Sequence, residues 1–315
     1  MKIYLAPMEG ITTYVYRNSF SRYFGGIDKY FTPFLTASHL KGRELREVHP
    51  DNNQGINVVP QILTNDSELF LTISKQLADL GYREVNLNLG CPSGTVVSKG
   101  RGSGFLAYPE KLDRFLDEIY SKTDMKISIK TRIGMDSLNE WEDILQVYIK
   151  YPMSELIIHP RLREELYNGT PHMDAFHMAE DYFRNSATTL CYNGDITKPE
   201  DIKTDKDIMI GRGIIADPTL AAMIHNENTS EGSGSNELNS IYRSNLKPYL
   251  NDILEGYLKE MSYEKQAVMK MKELWTFMSQ GKTIDKKLMK DLYKTKTVSE
   301  YKAAATPLIQ TLTKR

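Results

Sequence analysis

The repeating unit of this chain is clearest in residues 126–159, which read KISIKTRIGMDSLNEWEDILQVYIKYPMSELIIH. Residues 126–131 and 155–159 are short apolar runs rich in isoleucine, a composition typical of buried strands. Between them, residues 139–150 carry apolar side chains at the spacing of an amphipathic helix. The segment therefore predicts a strand, a crossover helix and a second strand parallel to the first.

The same alternation extends over the first 225 residues. Candidate strands are found at residues 2–6, 29–34, 57–63, 84–88, 126–131, 155–159, 188–192 and 207–210. The helical patterns are residues 14–24, 66–80, 109–120, 139–150, 172–183, 198–203 and 218–225. Eight strands, with helical patterns between most of them, predict an α/β fold, a (β/α)₈ TIM barrel. A doubly wound open sheet is the alternative, but no Gly-x-Gly-x-x-Gly motif follows the first strand.

The pattern changes after residue 225. Residues 226–236 are rich in Ser, Asn and Gly and lack apolar side chains, which is typical of a linker. Residues 240–259, 262–280 and 283–296 have apolar side chains at helical spacing. We therefore expect three parts: a TIM-barrel catalytic domain at 1–225, a linker at 226–239, and a domain at 240–315 that is an all-helical bundle.

Charge is divided unevenly between these parts. The whole chain has 40 Lys and Arg against 41 Asp and Glu, a net charge of −1. Residues 241–315 have 15 basic against 8 acidic residues, so the remaining 240 residues have 25 against 33. An acidic body with a basic end is typical of a protein that binds a polyanion with that end. A lysine-rich solvated helical face is the alternative, and charge alone leaves both open.

Composition limits the class of protein further. No apolar run approaches the roughly 20 residues needed to cross a bilayer, so we expect no membrane association. Two cysteines, Cys91 and Cys191, are too few for a disulfide framework and suit a reducing compartment, so we expect a cytoplasmic protein. His172 and His177 lack further ligands at a metal-binding spacing, so we expect no metal.

Polar residues follow seven of the eight predicted strands, where the loops of a barrel build its active site. The residues at these strand ends are Pro7, Met8, Gln61, Asn88, Cys91, Lys130, Arg132, His159, Arg161, Asn193, Asp195, Gly211 and Arg212. A single such residue could be a surface group or part of a turn. Their convergence is difficult to explain structurally, because buried polar groups need partners.

These residue types indicate a phosphate-bearing redox cofactor. Gly211 and Arg212 follow the last strand, where barrels often bind phosphate. Gln61 and Asn88 can both donate and accept hydrogen bonds, as an amide-bearing heterocycle requires. Lys130 could stabilise a ring that becomes electron-rich on reduction. Together they predict flavin mononucleotide, FMN.

Cys91 is the residue most difficult to explain structurally. It lies between Gly90 and Pro92 and precedes the glycine-rich run at residues 99–104. A structural cysteine is usually buried in an apolar stretch, which describes Cys191 but not Cys91. We therefore expect Cys91 to be reactive, as a nucleophile or as a proton donor.

The motifs that carry these residues resemble those of the dihydrouridine synthases, flavin enzymes that reduce uridine in transfer RNA. The resemblance covers nearly the whole chain and is most specific at NLGCP, residues 88–92, followed by KGRGSGFL, residues 99–106. KTRIG at 130–134 and His159-x-Arg161 then occur in the same order. Two positions depart from the family pattern. The family usually has Gly where this chain has Pro160, and it commonly has Gly where this chain has Thr64.

The resemblance implies a role for each matching position. The residues assigned to FMN are Pro7 and Met8 by backbone contact, Gln61 and Lys130 at the isoalloxazine, His159 beside it, and Asn193, Asp195, Gly211 and Arg212 along the ribityl chain and phosphate. The residues assigned to the substrate are Asn88, Arg132 and Arg161. Cys91 is the general acid.

The implied reaction reduces the 5,6 double bond of uracil. Carbon 6 is electrophilic because the double bond is conjugated to a carbonyl, so it accepts hydride from reduced FMN, and Cys91 protonates carbon 5. A thiol with an ordinary pKa near 8.5 is mostly protonated at neutral pH. The resemblance implies NADPH as reductant and tRNA as partner. RNA binding then accounts for the basic charge of the helical domain, and we expect a monomer.

Two other functions remain as alternatives. An FMN barrel oxidoreductase acting on a free pyrimidine, similar to dihydroorotate dehydrogenase, would share the flavin residues but would not need a basic helical domain. A non-catalytic RNA-binding protein would need none of Cys91, Lys130 and His159.

Overall fold

A computed structural model describes residues 1–228 and 234–314. The strands are β1 Ile3–Leu5, β2 Lys29–Phe31, β3 Val58–Val59, β4 Gln61–Ile62, β5 Glu84–Leu89, β6 Lys126–Arg132, β7 Glu155–His159, β8 Thr189–Tyr192 and β9 Asp207–Ile210. The helices are α1 Tyr14–Tyr23, α2 Gly42–Val48, α3 Ser67–Asp79, α4 Gly94–Val97, α5 Pro109–Lys122, α6 Glu140–Tyr148, α7 Met173–Tyr182, α8 Arg212–Ala216, α9 Leu220–Asn228, α10 Gly234–Glu260, α11 Glu264–Met278, α12 Lys286–Lys294 and α13 Val298–Leu312.

The described residues divide into two compact units. The first consists of Met1–Pro7, Asp28–Asp195 and Thr204–Ile210, and it contains all nine of the strands given above. The second consists of Met8–Ile27, Ile196–Lys203 and the described part of Gly211–Arg315.

The first unit is a parallel barrel. Its strands are hydrogen-bonded in the order β3-β2-β1-β9-β8-β7-β6-β5-β4, and every pair is parallel. The first and last strands of this order, β3 and β4, are separated in the chain by Pro60 alone. Proline has no N–H for the ladder, so it divides one predicted strand, residues 57–63, into two segments with different neighbours. The barrel therefore closes with eight strand positions, and the predicted TIM barrel is confirmed.

The larger helices of this unit form where the apolar periodicity predicts them. Helix α3 is capped by Asp66, whose carboxylate accepts a hydrogen bond from the amide of Leu69 at 3.0 Å. Helix α5 begins with Pro109, which suits the first helical position. Its buried side chains, Leu112, Phe115, Leu116 and Ile119, follow the helical repeat. Helices α2 and α4 are too short for this periodicity to be visible in the sequence.

Polar groups at the amino ends of the strands bond to one another. The Tyr4 hydroxyl donates to Glu155 at 2.7 Å and to Asp207 at 3.0 Å. Lys29 Nζ lies 3.2 Å from Glu155 and 3.4 Å from Glu84. Cys191 is buried in the adjacent core, and burial raises the pKa of its thiol. The polar groups at this end of the barrel therefore find their partners in one another, and we interpret this end as structural.

The second unit is helical, as predicted for the C-terminal region. Helix α1 packs on α10 through an aromatic cluster in which the rings of Phe24 and Tyr249 lie 5.1 Å apart, edge to face. Arg22 and Asp252 form an ion pair across the same helices at 2.6 Å. Within the described ranges, no helix has the length and hydropathy required to cross a bilayer.

The predicted linker, residues 226–239, lies partly outside the described residues, at 229–233. Helix α9 extends to Asn228 before it, and α10 begins at Gly234 after it. The domain boundary at this segment stays a prediction.

Candidate active site at the carboxyl ends of the strands

Four buried polar side chains form a hydrogen-bonded series inside the barrel, which we call the amide chain: Ser128, Asn86, Gln61 and Asn88. Asn88 Nδ2 donates to Gln61 Oε1 at 2.7 Å, and Gln61 Nε2 donates to Asn86 Oδ1 at 2.8 Å. Asn86 Nδ2 donates in turn to Ser128 Oγ at 3.0 Å. Residues 86 and 88 face the same side of β5 because side chains alternate along a strand.

The amide chain ends on the backbone of Cys91. Asn88 Oδ1 accepts hydrogen bonds from the amides of Gly90, at 3.1 Å, and Cys91, at 2.9 Å. The Cys91 carbonyl accepts from both the amide and the hydroxyl of Ser103, at 3.1 and 3.0 Å. Cys91 is only half-buried. Its position is thus fixed at both peptide groups, while its side chain is partly accessible.

The glycine-rich run at residues 99–104 is required by close packing on this loop. Gly102 has φ +56°, and a Cβ there would lie 2.7 Å from the Cys91 carbonyl oxygen. A Cβ at Gly104 would lie 2.8 Å from the carbonyl oxygen of Val97. Side chains at these positions would displace the segment that holds Cys91.

Lys130 lies on β6 opposite Asn88 of β5. Among the described residues, its side chain has no hydrogen-bond or ion-pair partner. Burial, with a further contribution from nearby Arg132, lowers the pKa of Lys130 to about 8. A desolvated cation without a partner is suited to an anionic or electron-rich ligand.

Arg132 is buried and bonds to the backbone of two loops. Its guanidinium donates to the carbonyl of Gly90 at 3.2 Å, of Leu162 at 2.7 Å and of Leu166 at 2.5 Å. It also lies 5.6 Å from the ring of Tyr167. Burial lowers its pKa to about 10. The structure therefore gives Arg132 the role of linking the Cys91 loop to the loop after β7, and its predicted substrate contact stays a prediction.

Arg161 has a similar environment. It is fully buried, and it donates to the carbonyls of Asn168 at 3.0 Å and Gly169 at 2.5 Å. It also forms an ion pair with Asp195 at 2.6 Å, and its Nη1 lies 3.3 Å from His159 Nε2. Three predicted site residues are thereby in direct contact, although two were assigned to the cofactor and one to the substrate.

Pro160, a departure from the family pattern, lies at the centre of a three-residue turn. The amide of Arg161 donates to the carbonyl of His159 at 2.7 Å. The fixed φ of proline is close to the value that such a turn requires. Proline therefore supports the loop that carries these two side chains. At the second departure, Thr64 accepts a hydrogen bond from the amide of Asp66 at 3.0 Å, immediately before α3.

The remaining predicted residues of the first unit also lie at strand ends. Asn193 follows β8, and its Nδ2 donates to the carbonyl of Met209 in β9 at 2.7 Å. Pro7 follows β1 and is half-buried. The first unit thus places ten predicted residues at or near the carboxyl ends of its strands: Pro7, Gln61, Asn88, Cys91, Lys130, Arg132, His159, Arg161, Asn193 and Asp195.

Met8, Gly211 and Arg212 belong to the second unit. The Met8 amide donates to Thr12 Oγ1 at 2.8 Å, which forms a turn before α1. Gly211 caps α8, in which Arg212 is the first residue. Their predicted contacts with a cofactor stay predictions.

Asn86, Ser128 and Ser103 are site residues that the sequence reasoning missed. Asn86 could have been found, because it alternates with Asn88 along the same strand, and Asn88 was already a predicted site residue. Ser103 and Ser128 give no comparable indication, since a serine is common in both loops and strands.

Comparison with known proteins tests the resemblance directly. The family model for dihydrouridine synthase (Dus) matches residues 4–307. The chain belongs to the dihydrouridine synthase family. A probable tRNA-dihydrouridine synthase of Staphylococcus aureus is 28% identical over 295 residues, covering 87% of this chain and 81% of that protein. One from Staphylococcus epidermidis is 32% identical over 231 residues, covering 68% and 69%.

A solved structure supports the fold alone. A protein assigned to the dihydrodipicolinate synthase family, from Coccidioides immitis, aligns with a TM-score of 0.51 at 8% identity, covering 98% of this chain and 94% of that one. The structural alignment shows a shared architecture. At 8% identity it carries no information about the reaction.

Proposed function

We propose that this protein reduces specific uridines of tRNA to dihydrouridine, with FMN as its cofactor and NADPH as the reductant. The observation that supports this most strongly is the arrangement of Cys91. Its backbone is held by Asn88, and Asn88 lies in register with the cation Lys130. A partly exposed thiol beside fixed amide groups and a desolvated cation suits protonation of a heterocycle.

The residues present fit a flavin. Among the residues that the structure describes, Lys130 is a desolvated cation without a partner, and the amide chain presents carboxamides whose directions are fixed. The residues of the first unit proposed to hold FMN are Pro7, Gln61, Lys130, His159, Asn193 and Asp195. The assignments of Met8, Gly211 and Arg212 to FMN rest on the family resemblance. When bound, FMN supplies the hydride that saturates carbon 6 of uracil.

The protein's own contribution is to orient the uracil and supply a proton. Asn88, Arg132 and Arg161 are proposed to bind the extruded base, directly or through the loops that they hold. Once carbon 6 is saturated, carbon 5 must be protonated, and the Cys91 thiol donates that proton. Asn88 and Ser103 hold the backbone of Cys91 before the substrate binds, so positioning the thiol requires no further ordering of this loop.

RNA binding is proposed for the helical region, residues 240–315. On α12, Lys286, Lys290 and Lys294 recur every four residues and share one exposed face. Among the described residues, the side chains of Lys286, Lys287 and Lys290 have no acidic partner. A base in folded RNA must be unstacked before it can react, at a cost of a few kcal/mol. Contacts between these lysines and RNA phosphates offset that cost.

Replacing Lys286, Lys287 and Lys290 together with alanine is expected to weaken tRNA binding about tenfold or more at moderate salt. The slope of log Kd against log salt concentration should fall by about 2 to 3, since each phosphate contact releases about one counterion. The measurement is a filter-binding titration at several salt concentrations.

The control variant replaces Lys122, Lys150 and Lys206, each of which has an acidic partner, at 2.6, 2.8 and 3.0 Å. The control should retain the wild-type slope. A wild-type slope in the α12 variant would contradict the assignment of this helix to RNA.

The proposed function is tested by two assays on purified protein. The released cofactor is identified by mass as FMN or another compound, and unmodified tRNA is incubated with NADPH and analysed by nucleoside mass spectrometry. We expect FMN and new dihydrouridine at defined positions. Reduction of a free pyrimidine without RNA would instead support a small-molecule oxidoreductase. RNA binding without flavin or reduction would support a non-catalytic protein.

A further inference from the structure

We propose that Asn86 and Ser128 are positioning residues for Cys91. They act through Gln61 and Asn88, since the four side chains of the amide chain fix one another's direction. The proposal rests on the proposed function only for its effect on tRNA reduction. Its structural part, control of the Cys91 loop, stands on hydrogen bonds within the first unit.

The direction of the amide chain is set at the Cys91 end. Asn88 faces two backbone N–H groups, those of Gly90 and Cys91, so its carboxamide must present oxygen to them. Its Nδ2 therefore points to Gln61, which must present Oε1. An inverted Asn88 would place three N–H donors together without an acceptor.

The same argument fixes the direction of the hydrogen bonds at the Ser128 end of the amide chain. Gln61 presents Nε2 to Asn86, so Asn86 must present Oδ1, and its own Nδ2 is directed at Ser128. The Ser128 hydroxyl accepts this bond and donates to the carbonyl of Val85 at 3.4 Å. A hydroxyl is suited to this end of the chain because it both accepts and donates.

Burial makes these bonds difficult to replace. Gln61, Asn86 and Ser128 have no exposed surface, and Asn88 is 7% exposed. If Asn86 no longer accepts from Gln61, no bulk water is present to substitute, so the Gln61 amide can rotate and the Asn88 amide loses its fixed partner. Release of the Gly90 and Cys91 amides then lets the thiol adopt several orientations.

The experiment uses holoenzyme with two pairs of variants. Asn86→Leu keeps the branched shape of the side chain but cannot accept a hydrogen bond from Gln61, whereas Asn86→Asp keeps that acceptor and can also accept from Ser128. Ser128→Ala removes the end of the chain. Its matched control is Ser154→Ala, because Ser154 Oγ is also buried but has no hydrogen-bond partner among the described residues.

Two readouts separate positioning from simple loss of stability. The first is kcat and KM for tRNA, with FMN content and the rate of FMN reduction by NADPH measured alongside. The second is the pH profile of Cys91 alkylation by iodoacetamide, followed by peptide mass spectrometry, with buried Cys191 as an internal reference. The alkylation readout requires neither tRNA nor turnover.

We expect Asn86→Leu to lower kcat at least tenfold and Ser128→Ala to lower it less, with KM for tRNA within twofold and a changed alkylation profile. Asn86→Asp should recover most of the kcat, and Ser154→Ala should match the wild type. A folded Asn86→Leu variant with wild-type kcat and alkylation would overturn the proposal. If the wild type forms no dihydrouridine, the proposed function fails, and the alkylation profiles alone decide whether the amide chain controls Cys91.

Discussion

Replacing Lys130 with methionine is expected to weaken FMN binding about 10- to 100-fold at pH 7. Lys130 is a desolvated cation without a partner among the described residues, and a hydrogen bond involving a charged group contributes about 1.5–3 kcal/mol. Methionine is similar in length but has neither the charge nor the N–H groups. The measurement is titration of flavin-free protein with FMN, followed by flavin fluorescence.

The pH dependence of FMN affinity has a defined sign. Burial lowers the pKa of Lys130 to about 8, so the cation is mostly present at pH 7 and mostly absent at pH 9. If FMN binds the protonated form, its affinity should fall about tenfold between these two pH values. Lys130→Arg keeps its charge throughout this range and should show constant affinity, and Lys130→Met should be constant and weak. An identical pH profile in all three proteins would remove Lys130 from the cofactor site.

Replacing Cys91 with alanine is expected to lower the rate of dihydrouridine formation at least 100-fold. Proton transfer by a positioned side chain contributes about 10²- to 10⁴-fold, and in this account no other group protonates carbon 5. FMN content and the rate of flavin reduction by NADPH should not change, because Cys91 is not among the residues that hold the cofactor. Nucleoside mass spectrometry of tRNA after timed incubation measures the effect.

Cys191→Ala is the matched control for this variant. Cys191 is fully buried in the barrel core among apolar side chains, whereas Cys91 is only half-buried. Its replacement should reduce thermal stability slightly and leave the rate of tRNA reduction unchanged. Equal loss of activity in the two variants would indicate a general structural effect and not a proton donor.

The fold was largely predictable because it follows from local sequence patterns. Eight apolar strand runs alternate with seven helical patterns, and parallel strands joined by helices leave few architectures. Two features were not visible in this pattern. Pro60 divides one strand because it lacks a hydrogen-bond donor, and α1 associates with α10 through aromatic side chains that periodicity alone assigns to no particular neighbour.

The positions of some candidate site residues were predictable, but the hydrogen bonds between them were not. The order of strand ends placed Asn88, Cys91 and Lys130 together, because those ends meet at one rim of the barrel. Arg132 and Arg161 bond mainly to backbone carbonyls. These bonds could not be predicted, because loop conformation decides which carbonyls face a side chain. Family resemblance assigned both arginines to the substrate, and that assignment stays a prediction beside the loop contacts that the structure shows.

The central claim is that a thiol at position 91 completes the reduction of a tRNA uridine by FMN, and a single-turnover experiment tests it most directly. Holoenzyme reduced beforehand, with excess NADPH removed, is mixed without oxygen with unmodified tRNA while flavin absorbance and dihydrouridine are followed. The wild type should reoxidise its flavin and form one dihydrouridine per FMN. Cys91→Ala should do both at least 100-fold more slowly, with tRNA affinity unchanged. Equal rates in the two proteins, or a wild-type flavin that tRNA does not reoxidise, would contradict the account.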